Sequence, residues 1–340
     1  MKSMIKRKVL GKTNIDVSAI GFGGAPIGDL FEKLEEQVCY DTLKISHKSD
    51  INFFDTSPFY GHGLSEHRIG NYLKSINRND FVLCTKVGRY LIPDKPERIY
   101  RGVFKGGLNF SPIFDYSYDG VMRSFEQSLF RLGLSQIDIC LIHDVDKWTH
   151  GSDVELRFKE AMDGAYKALE KLRSEKVIKG IGVGLNESDM CLRFAEAGDF
   201  DCMVLAGRYT LLEQGALDAF FPVAKKKNIG IILAGVFNSG ILIKGVSNHS
   251  TYDYQKIPEH IAKKYFQIDK ICKEYSVPVG AAALQFCNAH EAVSTMILGM
   301  DHPNQVKENI DLLNYKINKE FWYKLIKENL IDSRSPIPNN

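Results

Sequence analysis

Two hydrophobic patterns alternate along the chain. Short aliphatic and β-branched runs stand at Val17–Phe22, Ile51–Thr56, Phe81–Lys86, Ile137–His143, Ile178–Gly184, Asp201–Ala206, Gly230–Gly235 and Ser294–Gly299. Several are apolar at nearly every position, as strands buried on both faces are. Between them lie longer amphipathic stretches: Glu35–His47, Ser65–Lys74, Tyr118–Leu132, Glu155–Glu175, Glu187–Glu196, Ala216–Lys227, Pro258–Tyr275 and Pro303–Leu313. In Tyr118–Leu132 the apolar residues Val121, Phe125, Leu129 and Leu132 recur at helical spacing. The basic run Lys225–Lys227 before Gly230 has the polarity of a helix C-terminus. Eight strands alternating with eight helices predict an α/β fold, a (β/α)8 TIM barrel, as one domain over residues 1–340. A doubly wound sheet is the rival. Gly21, Gly23, Gly24 and Gly28 follow the first strand, but they lack the dinucleotide-fingerprint spacing and no helix opens directly on them.

Two additions decorate this pattern. Lys8–Leu10 and Val17–Ala19 flank a turn containing Gly11-Lys12-Thr13-Asn14, which predicts a hairpin over residues 8–19 capping the barrel bottom. Residues 88–116 form a long insertion after the third strand. It holds Pro93, Pro96 and Pro112 together with Tyr90, Tyr100, Phe104, Phe110, Phe114 and Tyr116. Loops of this length are usually functional, and this one leaves the face where barrel active sites lie. It is read as a substrate lid.

Charge narrows the function classes. Lys plus Arg number 44 and Asp plus Glu 42, for a net charge of +2 over 340 residues. That balance excludes a nucleic-acid or membrane-surface binder acting through bulk charge. No apolar run approaches the roughly 20 residues of a membrane span, and the basic segment Met1–Lys8 leads into no signal core. A cytoplasmic protein with a small-molecule substrate is expected; the sequence carries no signature of oligomeric state. Seven cysteines are scattered singly without a CxxC pair, which reads as buried free thiols rather than disulfides or zinc ligands. His62 and His67 are five apart, off one helical face and without further ligands, so no metal is expected.

The chemistry concentrates at strand ends. The second strand ends in Asp55-Thr56, the third in Thr85-Lys86 and the fourth in His143-Asp144, while Tyr60 follows the second strand. An ammonium beside a phenol favours the ionised phenol, a carboxylate holds that ammonium charged, and an imidazole on the next strand can donate to a carbonyl or hydroxyl oxygen. Four such groups on consecutive units of one face describe a general acid–base site without metal or nucleophile.

These residues sit in longer motifs. Asn52-Phe53-Phe54-Asp55-Thr56-Ser57-Pro58-Phe59-Tyr60-Gly61 is followed by Ser65-Glu66, then Thr85-Lys86, then Arg131-Leu132-Gly133-Leu134 and Leu141-Ile142-His143. In this combination, over nearly the whole chain, the sequence resembles the aldo-keto reductase family. The resemblance implies Tyr60 as proton donor or acceptor, Lys86 and Asp55 as its tuning pair, and His143 as the substrate-orienting residue. It also implies an extended nicotinamide cofactor bound without a Rossmann motif. By the same resemblance Asn186 holds the carboxamide, Tyr209 stacks on the nicotinamide, and Ser239, Gly240 and Leu242 cradle the pyrophosphate. Gly299, Asp301, Gln305 and Asn309 line the adenosine end. The chain departs from the family at Ala206, where a Gln is usual, and at Ala234-Gly235-Val236, where Ser-Pro-Leu is usual. Asp301 suits ribose hydroxyls and repels a phosphate, although Lys307 lies nearby, so NAD is expected over NADP.

Finer details resemble one branch of the family, the D-threo-aldose (L-fucose) 1-dehydrogenases and pyridoxal 4-dehydrogenases. They are Lys86-Val87-Gly88-Arg89 with its insertion, Tyr118–Ser124, Ile142-His143-Asp144, Gly182–Glu187 and Leu205–Glu213. The implied reaction oxidises the C1 hydroxyl of an aldose hemiacetal to a lactone, and pyridoxal, which also forms a hemiacetal, is the alternative substrate. Asp144, Trp148 and Tyr90 are candidate substrate contacts, an indole being a platform for a sugar ring. Two further readings are an NADPH-dependent carbonyl reductase and a cofactor-binding regulatory subunit of a potassium channel.

Overall fold

The structure is a computed structural model that describes residues 5–247, 250–253 and 255–338. Eight parallel strands close into a barrel in chain order: Ile20–Gly23, Phe53–Asp55, Val82–Val87, Ile139–His143, Gly180–Leu185, Cys202–Ala206, Gly230–Ala234 and Val293–Gly299, the last pairing with the first. The (β/α)8 architecture is therefore the one the alternation predicted. No helix among the described residues is long and apolar enough to cross a membrane.

The near-continuous apolar strands face two ways. Phe22, Phe54, Leu83, Cys140, Ile142, Val183 and Leu205 join the layer between strands and helices. Phe53, Val82, Cys84, Ile139, Leu141, Cys202, Val204, Ile232 and Ile297 fill the barrel interior. Because side chains alternate along a strand, each face takes every second residue. The interior is plugged from below by Leu10, Ile15 and Val17 of the N-terminal hairpin, whose strands are Arg7–Val9 and Asp16–Ser18. The run Val17–Phe22, expected as one strand, is thus shared between hairpin and barrel.

Two expectations are corrected. The helix that packs on the eighth strand between strands seven and eight is Val279–Ala289, not Glu259–Glu274, which lies outside it against the C-terminal helix Lys319–Lys327. The insertion is also more than a loop. Arg89–Pro93 and Phe110–Phe114 pair as an antiparallel hairpin, and its tip returns to the barrel mouth, where Phe104 bridges to Leu30. All seven cysteines are free and buried.

Candidate active site

Alternation along the strands builds the site. Continuing the interior-facing positions upward by two residues leads from Phe53 to Asp55, from Cys84 to Lys86 and from Leu141 to His143. The same layer elsewhere carries Gly23, Gly184, Ala206, Ala234 and Gly299. One half of the mouth is therefore polar and the other has almost no side chains. The glycines are used: a Cβ on Gly184 would lie 3.2 Å from Cε of Lys86, and one on Gly182 would meet Cδ2 of Leu141 at 2.8 Å. The fifth strand gives up side chains so that Lys86 can cross the barrel.

Lys86 Nζ donates to Asp55 Oδ1 and to the Thr56 carbonyl at 3.0 Å. Both members of the pair are almost wholly buried, at 2% and 1% side-chain exposure. Burial opposes the Lys86 charge, but the Asp55 carboxylate and the Tyr60 phenol outweigh it and raise the ammonium pKa. Burial pushes the Asp55 carboxyl up while the Lys86 charge pulls it down; the direction that follows is a lysine charged throughout the ordinary pH range. Nζ lies 5.8 Å from the centre of the Tyr60 ring, and the His143 ring is 5.9 Å from it, edge-on. The loop bearing Tyr60 is fixed from behind. Ser65 Oγ donates to the Gly24 carbonyl at 2.8 Å, and fully buried Glu66 accepts from Thr85 Oγ1 at 2.8 Å and Arg131 Nε at 2.5 Å. This explains the Ser65-Glu66 and Arg131 motif members: they clamp the tyrosine loop to the third strand and its helix.

His143 is buried, and burial, then the positive charges of Arg89 and Lys86, hold its pKa well below the usual histidine value. The imidazole is neutral at neutral pH. Arg89, from the start of the insertion, reaches His143 Nδ1 at 3.2 Å and pairs with Asp144 Oδ2 at 2.8 Å. Phe104, from the insertion tip, lies 6.5 Å from the Tyr60 ring and 5.4 Å, edge-on, from Phe59. The insertion thus contributes both a charge and an aromatic wall to the mouth. The structure brings Asp55, Tyr60, Lys86 and His143 together on one side of the mouth.

The aldo/keto reductase family model matches residues 19–328. The chain belongs to the aldo/keto reductase family. It is 38% identical over 336 residues to pyridoxal 4-dehydrogenase of Microbacterium luteolum, covering 96% of this chain and 98% of that protein. It is 35% identical over 321 residues to D-threo-aldose 1-dehydrogenase of a Pseudomonas species, covering 93% and 95%. An aldo-keto reductase structure from Bacillus halodurans superposes with a TM-score of 0.73 at 21% identity, covering 99% of each chain, which attests the fold. This aldo/keto reductase is an oxidoreductase of the dehydrogenase type, and its family works with nicotinamide cofactors.

The residues of this aldo/keto reductase fit such a cofactor. The small-side-chain half of the mouth, with half-buried Ala206 and Ala234 and exposed Gly299, leaves space beside the polar cluster. Asn186 Nδ2 and its backbone N–H both donate to buried Asp146 Oδ2, at 3.0 and 3.1 Å. That bond fixes the amide's orientation, and Asp146 is a contribution that sequence reasoning missed. The buried Asn238 Oδ1 has no hydrogen-bond partner among the described residues, although Nδ2 donates to the Gly207 carbonyl at 3.3 Å. Asn238, Ser239 and Gly240 all have positive φ, at 45°, 55° and 89°. Asp301 and Gln305 are joined at the N-terminus of helix Pro303–Leu313: Gln305 Nε2 donates to Asp301 Oδ1 at 2.7 Å, and Asp301 N donates to Gln305 Oε1 at 2.8 Å. Asn309 is buried on the same helix.

Three expected contacts are placed differently. Tyr209 does not face the mouth. Its ring is 1% exposed and stacks on Phe286 at 5.1 Å, with Phe221 at 4.7 Å, in the layer behind the strand. It follows a turn at Gly207 (φ 70°) and is drawn into the apolar layer, where its ring presents no face to the mouth. The amides of Gly240 and Leu242 both donate to the Phe237 carbonyl at 3.1 Å, and Ser239 Oγ accepts from Asp253 N at 3.1 Å. The Gly240 and Leu242 amides are thereby spent within the loop, whereas the Ser239 hydroxyl accepts here and keeps its own proton to donate. Tyr90 alternates with Arg89 on its strand and packs under the Arg123 guanidinium at 4.7 Å, away from His143. Of the other substrate candidates, Asp144 is committed to Arg89, and Trp148 is 45% exposed with the Arg208 guanidinium 6.0 Å from its ring.

Proposed function

We propose that this aldo/keto reductase is a cytoplasmic, NAD-dependent dehydrogenase. Its reaction oxidises the C1 hydroxyl of a cyclic aldose hemiacetal, such as L-fucose or another D-threo-aldose, to the lactone. The observation that carries the reading is the buried Lys86–Asp55 pair set beneath Tyr60 with a neutral His143 beside it. The fixed ammonium favours the Tyr60 phenolate, which takes the hydroxyl proton. His143 donates a hydrogen bond to the same oxygen and holds it against Tyr60. As the proton leaves, the C1–O bond gains its second component and the lactone carbonyl forms. Bound nicotinamide supplies the acceptor for the hydride from C1. Asn186, oriented by Asp146, is the candidate holder of the carboxamide, and Asp301 of the adenosine ribose. The 1–340 chain acts as one unit in this reading.

NAD is favoured over NADP by the surroundings of Asp301. Its carboxylate is held by Gln305, while Lys307 turns outward to pair with Asp311 and offers no charge to a ribose phosphate. Asp301→Arg is expected to shift the ratio of kcat/KM values toward NADP by about tenfold or more, one charge-assisted hydrogen bond being worth about 1.5–3 kcal/mol. Steady-state rates with both cofactors check this, and an unchanged ratio would place Asp301 away from the ribose.

A second reading, oxidation of pyridoxal to its lactone, is favoured by Phe104 and Phe59 beside Tyr60, an aromatic wall suited to a planar ring. Absorbance of the reduced nicotinamide decides between the two. Reduction of NAD with L-fucose or a related aldose supports the first reading, and reduction with pyridoxal alone moves the activity to that substrate. Turnover only in the direction of aldehyde reduction with NADPH would overturn both.

A further inference from the structure

We propose that Arg89 is a positioning residue that decides which nitrogen of His143 carries the proton, so that the imidazole presents Nε2–H to the reacting oxygen. The proposal rests on the reading of His143 as the substrate-orienting donor. A guanidinium has donors and no acceptor. Arg89 Nη1 lies 3.2 Å from His143 Nδ1, so Nδ1 must offer its lone pair and the proton must sit on Nε2. Ser57 Oγ, also 3.2 Å from Nδ1, accepts from the Phe59 amide at 3.1 Å and can turn its own proton to the same lone pair. On the far side, Asp144 Oδ1 lies 3.4 Å from Nε2, an acceptor that again favours hydrogen there.

The guanidinium is built to stay in place. It is sandwiched between the Phe59 ring at 4.6 Å and the Phe114 ring at 4.1 Å, an arrangement that suits a flat delocalised cation. Its second amino group holds Asp144 Oδ2 at 2.8 Å, and its own carbonyl accepts from Ser124 Oγ at 2.7 Å. Asp144 takes this position at φ 55°, a backbone region costly for a residue with a side chain. The charged and titratable groups around the imidazole are Arg89, Lys86, Asp144, Asp146 and Tyr60, with Tyr116 donating to the His143 carbonyl at 2.8 Å. Two of these are cations close to the ring, which oppose a second proton on it and agree with the depressed pKa. With the opposite tautomer, Nε2 would turn a lone pair toward the reacting oxygen and repel it. Arg89 and Phe114 are the two ends of the insertion's hairpin, so the same segment that walls the mouth also sets the protonation of the barrel's own histidine.

The test reads the tautomer directly. Protein labelled with 15N in its histidine rings is followed by long-range nitrogen–proton correlation from pH 5 to 8, with His143→Gln assigning the signal. The wild type is expected to hold the proton on Nε2 throughout. Arg89→Met is expected to populate the Nδ1–H form, move the His143 titration up toward the ordinary histidine range, and lower kcat/KM at pH 7 by about 100-fold. A new loss on the acid limb of the profile should accompany it. Arg89→Lys, which keeps a donor and a charge, is expected to recover more of the wild-type tautomer than Arg89→Met. Should Arg89→Met fail to fold for want of a partner for Asp144, the double variant Arg89→Met with Asp144→Asn removes both charges. A wild-type His143 protonated on Nδ1, or a folded Arg89→Met with unchanged tautomer and pH profile, would overturn the proposal. The nuclear readout needs no substrate. An Arg89-controlled tautomer in a protein silent toward every hemiacetal supports the proposal while sinking the dehydrogenase reading.

Discussion

Replacing Tyr60 by phenylalanine is expected to cut kcat/KM by about a thousandfold, within the range that a positioned acid–base group contributes. NAD affinity, followed by quenching of protein fluorescence, is expected to stay close to that of the wild type. The reason is local. The ring, its centre 5.8 Å from the Lys86 ammonium, packs against Phe104 and His143, and phenylalanine keeps those contacts while removing the only proton the side chain can exchange. The loop is held by backbone bonds and by Ser65 and Glu66, which the substitution leaves in place. An active Tyr60→Phe enzyme would remove Tyr60 from the acid–base role.

Lys86→Met has a different signature because it strikes stability and chemistry together. It leaves the Asp55 carboxyl buried at 1% exposure without its ammonium, and breaking such a pair from one side costs about 3–5 kcal/mol. The phenol also loses the charge that favours its ionised form. The remaining activity, down by about 100-fold or more, is expected to need a more alkaline pH than in the wild type. Urea unfolding and a pH–rate profile measure the two effects. The double variant Asp55→Asn with Lys86→Met separates them: it should regain much of the lost stability and none of the lost rate. Recovery of turnover in that double variant would make the pair structural only.

How far these features were legible in the sequence depends on how locally each is encoded. The eight barrel strands were readable because both faces are buried, so nearly every position is apolar. Asp55, Lys86 and His143 stood out because each breaks such a run at its C-terminal end. Val279–Ala289 was missed for the opposite reason: Gly280 to Cys287 are all buried, and a helix apolar all round shows no stripe. The amphipathic Glu259–Glu274, lying outside it, carried the stronger signal. The insertion hairpin was hidden by Pro93 and Pro112, residues that argue against a strand and are tolerated here on a two-stranded ribbon. Tyr209 was misplaced because a motif fixes a residue's position along the chain but not the face it takes after a turn. Arg89 was visible only as part of a family-like run. Its work depends on meeting His143, 54 residues on, and nothing local signals that meeting.

The seven buried thiols give this protein a clock of its own. Burial raises their pKa values, to about 11 for Cys39 and about 12 for Cys272, so few are thiolates at neutral pH even where a reagent arrives. Their side chains lie in both the interior plug and the helix layer. An aromatic disulfide reagent therefore reaches most of them only when the barrel opens, and the colour it releases reports opening events rather than surface chemistry. A ligand that binds only the closed barrel slows that colour in proportion to its occupancy. A sugar, a vitamin or a dinucleotide can then be ranked for binding in a chain whose turnover has been silenced.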